Sequence, residues 1–191
     1  MRYSRFCLSA CFVIVAVTRL HAADAPTVVY SDPRYGFTLR YTANAAIATE
    51  VDGQLDLIPT AAVVISPKLD EFKGTNLGEA SVAVGVSGDA GITPACAAGT
   101  AAQGEKPTGT VTLGSISFAR FIFEDASGSD RYSSTSYRAV VGGQCFEIVE
   151  YLHWAPMENF APGAIKPFDR PKVEAELHDI ARSFSLKAKA S

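Results

Sequence analysis

The sequence predicts an α+β domain with a central antiparallel sheet and a C-terminal amphipathic helix. Three consecutive segments between residues 115 and 154 have strand length and strand-like apolar patterns, and short turns separate them. The second turn is the pair Gly142-Gly143, which suits a tight β-hairpin. One stretch with helical periodicity follows, at about residues 170–184. Strands followed by a terminal helix are typical of α+β domains, whose helices pack on an antiparallel sheet.

The first 22 residues have the pattern of a secretory signal peptide. Arg2 and Arg5 give the start a positive charge, and the uncharged run 6–17 that follows is mostly apolar. This run is shorter than the roughly 20 residues that a membrane-spanning helix needs. We therefore expect cleavage after Ala22, which leaves 23–191 as a single domain in the periplasm or outside the cell.

A second interpretation of the leader would make the protein a lipoprotein. Residues 8–11 spell Leu-Ser-Ala-Cys, which matches a bacterial lipobox. A lipobox ends the apolar run of a leader, whereas this run continues to Val17. We therefore expect Cys7 and Cys11 to be removed with the signal peptide rather than to anchor the protein.

Shorter strand signals precede the three-stranded meander. Residues 37–41 alternate apolar and polar side chains, 61–66 form an apolar run, and alternate valines in 80–86 share one face. The segment 88–109 is different, since it is rich in alanine, glycine, threonine and proline and has no periodicity. It predicts a long loop, and loops of this length inside a compact domain are often functional.

Two cysteines, Cys96 and Cys145, remain after the leader. In an oxidising compartment such a pair usually forms a disulfide, which here would tie the 88–109 loop to the sheet. Two buried free thiols and a two-thiolate metal site are the alternatives. A metal site would need further ligands, and only His153 and His178 remain as histidines in the mature chain.

The terminal helix is predicted from its start signal and from its periodicity. Asp169 suits the N-cap position, and Pro171 falls in the first turn. His178 falls on the polar side of this helix, with no predicted role. Apolar residues recur every three or four positions and form one buried stripe: Val173, Leu177, Ile180 and Phe184.

Composition and motifs exclude several classes of function. The net charge is −3 and no basic run occurs, so we expect neither nucleic acid nor an anionic membrane surface as a partner. No apolar stretch after the leader is long enough to span a membrane. The motifs of metalloproteases, phosphate-binding loops, EF-hands and α/β-hydrolases are absent, and we predict no cofactor and no metal site.

His153 is the residue on which an enzymatic interpretation depends. A Ser-His-Asp triad can assemble from scattered residues, with His153 as the base and Glu147 or Asp130 orienting it. The competing interpretation is a surface histidine at the end of a strand. Convergence of His153, a serine hydroxyl and a carboxylate in one pocket would favour the enzyme.

Glu150 is a second candidate for a binding site. In strict alternation it shares a face with apolar residues of the third meander strand, where a carboxylate is costly unless it is paired. It is a functional acid with a raised pKa, a partner of Arg120 or Arg138, or a side chain turned outward by a β-bulge.

Trp154 is the third candidate, at the end of the same strand. With Phe160 and Phe168 it flanks a proline-containing loop, 155–168. These rings either form an apolar patch for a ligand or partner, or cap the end of the sheet beneath the terminal helix.

Two blocks of sequence resemble a known family. Residues 30–41 read Tyr-x-Asp-x-x-Tyr-Gly-Phe-x-Leu-x-Tyr, and residues 182–186 read Arg-Ser-Phe-x-Leu at the end of the predicted helix. Together with the order of the elements, they resemble the PsbP-like family, which comprises the photosystem II extrinsic protein and its bacterial exported relatives. The resemblance implies a central antiparallel sheet with helices on its faces. The chain departs from the family at 41–44, where Tyr-Thr-Ala-Asn replaces Tyr-Pro-x-x-Trp.

The resemblance also bears on function, because members of this family mostly act as non-enzymatic accessory or binding proteins. We therefore expect an exported, non-catalytic accessory or binding protein of the cell envelope. Its partner would be a protein or a small molecule in the envelope. The alternative is a small periplasmic or secreted hydrolase that uses scattered residues around His153.

Overall fold

The computed structural model describes residues 26–68 and 72–187, and the proposed signal peptide lies outside this part of the chain. About half of the described chain is β-strand. The strands are β1 (Thr27–Ser31), β2 (Phe37–Thr42), β3 (Ala46–Ala48), β4 (Val51–Asp52), β5 (Thr60–Ala61), β6 (Val63–Ser66), β7 (Leu77–Ser87), β8 (Lys106–Leu113), β9 (Ile116–Ser127), β10 (Asp130–Val141), β11 (Gln144–Trp154) and β12 (Ser185–Leu186), and the helices are α1 (Ile92–Ala97) and α2 (Arg170–Arg182).

A seven-stranded antiparallel sheet forms the centre of the molecule, in the order β3-β6-β7-β11-β10-β9-β8. Its β9, β10 and β11 are the predicted meander. Gly142 and Gly143 connect β10 to β11 with φ values of 60° and 80°, as a two-residue hairpin turn requires. Two smaller sheets, β1-β2-β12 and β4-β5, complete the described architecture.

The main core lies between one face of this sheet and α2. The predicted stripe Val173, Leu177, Ile180 and Phe184 is buried there. Phe184 is central, because its ring lies 5.8 Å from that of Phe37, 5.7 Å from that of Phe118 and 6.0 Å from that of Phe146. Asp169 accepts a hydrogen bond from the Lys172 backbone N–H at 3.2 Å, which confirms the predicted N-cap.

The opposite face of the sheet is covered by α1 and by the segment 53–59. Cys96 of α1 and Cys145 of β11 form the predicted disulfide, with Cα atoms 5.9 Å apart. Both cysteines are buried and pack with Ile58 of the covering segment. The disulfide therefore fastens α1 to the start of the third meander strand.

The expected loop 88–109 is partly regular structure, which corrects the sequence prediction. It contains α1 and the first residues of β8. Asp89 Oδ1 accepts hydrogen bonds from the backbone N–H groups of Gly91 at 2.7 Å and Ile92 at 3.2 Å, which supports the first turn of α1. The six-residue helix is too short to show an apolar stripe in the sequence, and the disulfide together with Ile92 holds it against the sheet.

The antiparallel sheet and the C-terminal helix are confirmed, whereas the balance between strand and helix differs from the prediction. In the described part of the chain, α1 has 6 residues and α2 has 13. Each face of the sheet carries one helix, the longer α2 on one and the short α1 on the other. The predicted range 170–184 is shortened to Arg170–Arg182. The molecule is therefore dominated by antiparallel sheet.

The packing of α2 predicts a large effect of truncating its stripe. We expect Leu177→Ala to lower the free energy of unfolding by about 2–5 kcal/mol, because it opens a cavity between the helix and the sheet. Asp179→Ala, on the exposed side of the same helix, should change it by less than about 0.5 kcal/mol. Urea denaturation of both variants measures the difference, and equal stabilities would show that the helix is not docked.

The disulfide predicts a second effect on stability. It closes a loop of 49 residues, so its loss should cost roughly 4 kcal/mol. We expect Cys96→Ala to lower the melting temperature and to expose 88–105 to protease, because α1 loses its main attachment. Wild-type protein treated with a reductant is the matched control and should behave alike. Two titratable thiols in the native, oxidised protein would contradict the bond.

Candidate functional site

A cavity of about 430 Å³ lies between α2 and the strands β9, β10 and β11. Glu150 lines it, and we call it the Glu150 cavity. Alternation along the strands brings Arg120, Tyr137 and Glu150 to the face that α2 covers. The helix contributes Arg170 and His178 to the same space.

Three titratable side chains contact one another in this cavity. The Tyr137 hydroxyl donates a hydrogen bond to Glu150 Oε1 at 2.8 Å. His178 Nδ1 lies 3.0 Å from the same carboxylate oxygen and 3.3 Å from the Tyr137 hydroxyl oxygen. Since the Glu150 side chain is only 11% exposed, these two partners replace most of its contact with water.

Burial is the largest influence on the pKa values of Glu150 and Tyr137. It raises the pKa of Glu150 above its usual range, although hydrogen bonds from His178 and Tyr137 and the nearby charge of Arg120 oppose the shift. Burial and the Glu150 charge also raise the pKa of Tyr137, which keeps its hydroxyl protonated. Glu150 thus accepts a proton more readily than a carboxylate in water, and Tyr137 stays a hydrogen-bond donor.

The two arginines of the cavity differ in how they are paired. Arg170 Nε lies 2.6 Å from Glu174, Arg170 Nη2 lies 3.1 Å from Glu124, and its guanidinium lies 4.9 Å from the ring centre of Trp154. Arg120 forms no ion pair within the described parts of the chain, although its charge favours the ionised form of Glu150. The wall of the cavity therefore carries one cation without a directly bound counter-ion.

The opposite face holds a second set of buried charges. Arg138, 1% exposed, donates to Glu147 Oε1 at 2.9 Å and makes two hydrogen bonds of 2.7 Å to the carboxylate of Glu105. Glu147 also accepts from the backbone N–H groups of Leu57 at 3.0 Å and Ile58 at 2.8 Å. This network fastens the covering segments to the sheet, so we assign it a structural role.

These contacts decide between the partners proposed for Glu150. Arg120 shares its face and acts on it, whereas Arg138 points to the other face and pairs with Glu105 and Glu147. No bulge occurs at Glu150, because the register shift of β11 against β7 lies between His153 and Trp154. The two-residue turn at Gly142-Gly143 places Arg138 opposite Glu147, and alternation along β11 then puts both on the face opposite Glu150.

His178 is a site residue that the sequence prediction missed. It was placed on the polar side of α2, yet it reaches Glu150 and Tyr137 across the edge of the helix. Its position directly after Leu177 puts it beside the buried stripe, and that adjacency was the only sequence signal for its role.

His153 lies on the face opposite Glu150, apart from the Glu150 cavity. Its Nε2 lies 2.9 Å from Asp130 Oδ1, and its ring stacks on Tyr132 at 4.8 Å. Ser129 donates to the same Asp130 at 3.3 Å, so the carboxylate lies between the serine and the histidine. A triad needs the imidazole in contact with the nucleophile, and this order does not provide that contact. Glu147, the other proposed orienter, belongs to the Arg138 network.

Trp154 lies on the face of Glu150, at the end of the sheet. Its ring is 6.0 Å from that of Phe168 and packs against the main core. The Arg170 guanidinium covers it and also lines the Glu150 cavity. The structure thus brings Glu150 and Trp154 to one region through Arg170, and it does not bring His153 there.

Within residues 26–68 and 72–187, no group of three or more histidine, cysteine, aspartate and glutamate side chains is arranged to hold a metal ion. In the same ranges, no helix has the length and apolar character needed to cross a membrane.

No protein-family model and no curated protein matches this chain. Similar solved structures include a protein of Bacteroides thetaiotaomicron, with 9% identity and a TM-score of 0.48. The match covers 85% of this chain but only 49% of that protein, so this chain spans about half of its length. Cyanobacterial PsbP (CyanoP) of Synechocystis has 11% identity and a TM-score of 0.41, with 91% of this chain and 99% of that chain covered. LpqN, involved in cell envelope biogenesis of Mycobacterium tuberculosis, has 11% identity and a TM-score of 0.39, with 85% and 91% covered. At these values, membership in the PsbP-like family stays a prediction.

Proposed function

We propose that the protein is an exported, non-catalytic binding protein of the cell envelope, with PsbP-like α+β architecture. Its ligand is a small polar molecule with an anionic group, bound in the Glu150 cavity. The observation that carries this proposal is Arg120, a cation in the cavity wall without a bound counter-ion among the described residues.

The cavity suits a small ligand in size and in chemistry. Its volume of about 430 Å³ is within the roughly 300–1,000 Å³ of small-molecule sites. A few polar groups converge on it from separate elements, and Leu152 and Leu177 add apolar wall. An anion that pairs with Arg120 would approach Glu150 as well, and the raised pKa of Glu150 lets it take up a proton there.

The acid–base groups support binding rather than catalysis. Tyr137 is the hydroxyl nearest to Glu150 and His178, but its raised pKa makes it a poor nucleophile. His153 lies on the other face, and Asp130 separates it from Ser129. The groups of the Glu150 cavity can therefore orient a ligand through hydrogen bonds.

A panel of small anions tests the proposed binding. We expect at least one of acetate, glutamate, citrate and phosphate to raise the melting temperature of the mature protein. Arg120→Gln should weaken that ligand about tenfold or more, because a charge-assisted hydrogen bond is lost. Arg182→Gln removes an exposed arginine of α2 outside the cavity and should leave the affinity unchanged.

Isothermal titration calorimetry of the wild type and both variants gives the affinities. The proposal fails if no anion of the panel binds the folded wild type. It also fails if Arg120→Gln binds as tightly as the wild type, because the anion then lies elsewhere.

Export is tested separately, on protein taken from its native host. The leader pattern and the disulfide both support an oxidising compartment outside the cytoplasm. We expect the intact mass of envelope-fraction protein to correspond to a chain that starts after Ala22, with the disulfide formed. A mass that includes Met1, or a lipid on Cys11, would overturn cleavage at this position.

A further inference from the structure

A second and smaller cavity lies on the face of the sheet opposite the Glu150 cavity. It has a volume of about 160 Å³ and lies between β9, β10, β11 and the segment 53–56. We call it the Tyr151 cleft, after the tyrosine that lies on its floor. The sheet lies between it and the Glu150 cavity, although Ser133 and Ser134 of β10 line both, and a ligand here is a proposal beyond the function proposed above.

Aromatic rings form much of the wall of the Tyr151 cleft. The rings of Tyr132 and Tyr151 lie 6.5 Å apart with an angle of 33° between their planes. His153 stacks on Tyr132 at 4.8 Å and fixes that ring. Phe123 packs against Gly104, where a Cβ atom would come within 2.8 Å of the ring. These rings are therefore held in place before any ligand arrives.

Two buried hydroxyl groups lie beside Tyr151 without hydrogen-bond partners. Ser134 lines the cleft, is 6% exposed, and its Oγ contacts no donor or acceptor of the described chain. The hydroxyl of Ser81, which is 0% exposed, also has no hydrogen-bond partner among the described residues. The two serines flank Tyr151, because Tyr151 pairs with Ser134 of β10 and with Ser81 of β7. Buried hydroxyls in native proteins nearly always have partners, so an unpartnered one in a cavity wall points to a ligand.

The charges of the cleft exclude an anionic ligand. Gln54, Asp56 and Glu79 line it, and no lysine, arginine or histidine of the described residues does. Asp56 accepts a hydrogen bond from Ser136 and lies 4.0 Å from Arg138 Nη2, and burial raises its pKa. The cleft therefore offers hydrogen-bond acceptors, and the Arg138 guanidinium behind Asp56 offsets one of its two carboxylate charges.

We propose that the Tyr151 cleft binds one ring of a neutral saccharide. Such a ring has an apolar C–H face, which suits the Tyr132 and Tyr151 rings, and hydroxyl groups at its edge, which suit Ser134, Asp56 and Gln54. The volume equals that of about five water molecules at ~30 Å³ each, enough for a single sugar ring and too little for several. A quaternary ammonium ion would also stack on the rings, but it leaves the Ser134 hydroxyl unpartnered.

Saturation-transfer NMR on the mature protein tests the proposal, with glucose, galactose, mannose and N-acetylglucosamine as probes. We expect transfer to the C–H protons of at least one sugar. Tyr151→Leu should weaken this sugar several-fold, and Tyr41→Leu, on β2 outside the cleft, is its matched control. Choline and glucuronate are included as a cationic and an anionic probe.

Ser134→Ala provides the sharper variant, because it removes a hydroxyl that has no partner in the free protein. It should weaken the sugar roughly fivefold while leaving the melting temperature of the free protein unchanged or raised. Ser117→Ala, at an exposed position of β9, should alter neither quantity. The proposal is overturned if no sugar binds the folded wild type, if both cleft variants bind like the wild type, or if choline or glucuronate binds and the sugars do not.

Discussion

The register between β10 and β11 determines which titratable side chains can meet. It pairs Arg138 with Glu147 and, one residue earlier, Tyr137 with Ile148. Successive side chains of a strand point to opposite faces, so Arg138 and Tyr137 belong to different sites although they are adjacent in sequence. A slip of one residue would bring Arg138 to the face of α2 and move Tyr137 away from Glu150. Both cavities depend on this one alignment.

The pairing of Arg138 with Glu147 also holds the cover of the second face. Glu147 binds the backbone of Leu57 and Ile58, and Arg138 donates to the Thr100 carbonyl oxygen at 3.2 Å. Removing one member of a buried ion pair typically costs about 3–5 kcal/mol, because the other charge is left unpaired. The Arg138–Glu147 pair therefore holds two covering segments, because Glu147 binds residues 57–58 and Arg138 binds Thr100 and Glu105. The segment 53–56, which walls the Tyr151 cleft, is continuous with the first of them.

Local signals made much of the fold predictable, whereas contacts between elements that are distant in sequence could not be predicted. The Gly142-Gly143 turn, the Asp169 cap and the stripe of α2 each lie within a few residues, and the structure has all of them. The helix α1 was missed because its six residues are too few to show the apolar periodicity that sequence reasoning looks for. For Glu150 the burial was predictable from alternation, but the contact with His178 depends on how α2 crosses the sheet.

The two faces of the sheet differ in charge and in what covers them. The Glu150 cavity lies beneath a helix, and it contains arginines and a carboxylate whose proton affinity is raised by burial. The Tyr151 cleft lies beneath a loop segment, and its lining among the described residues combines tyrosines with carboxylates and no cation. Because β10 and β11 contribute alternate residues to both, an insertion or deletion in either strand would disturb the two cavities together. A substitution changes chiefly the face to which its side chain points, since neighbouring side chains of a strand point away from each other. The sheet is therefore a shared support for two cavities of different chemistry, which alternate residues of the same strands line.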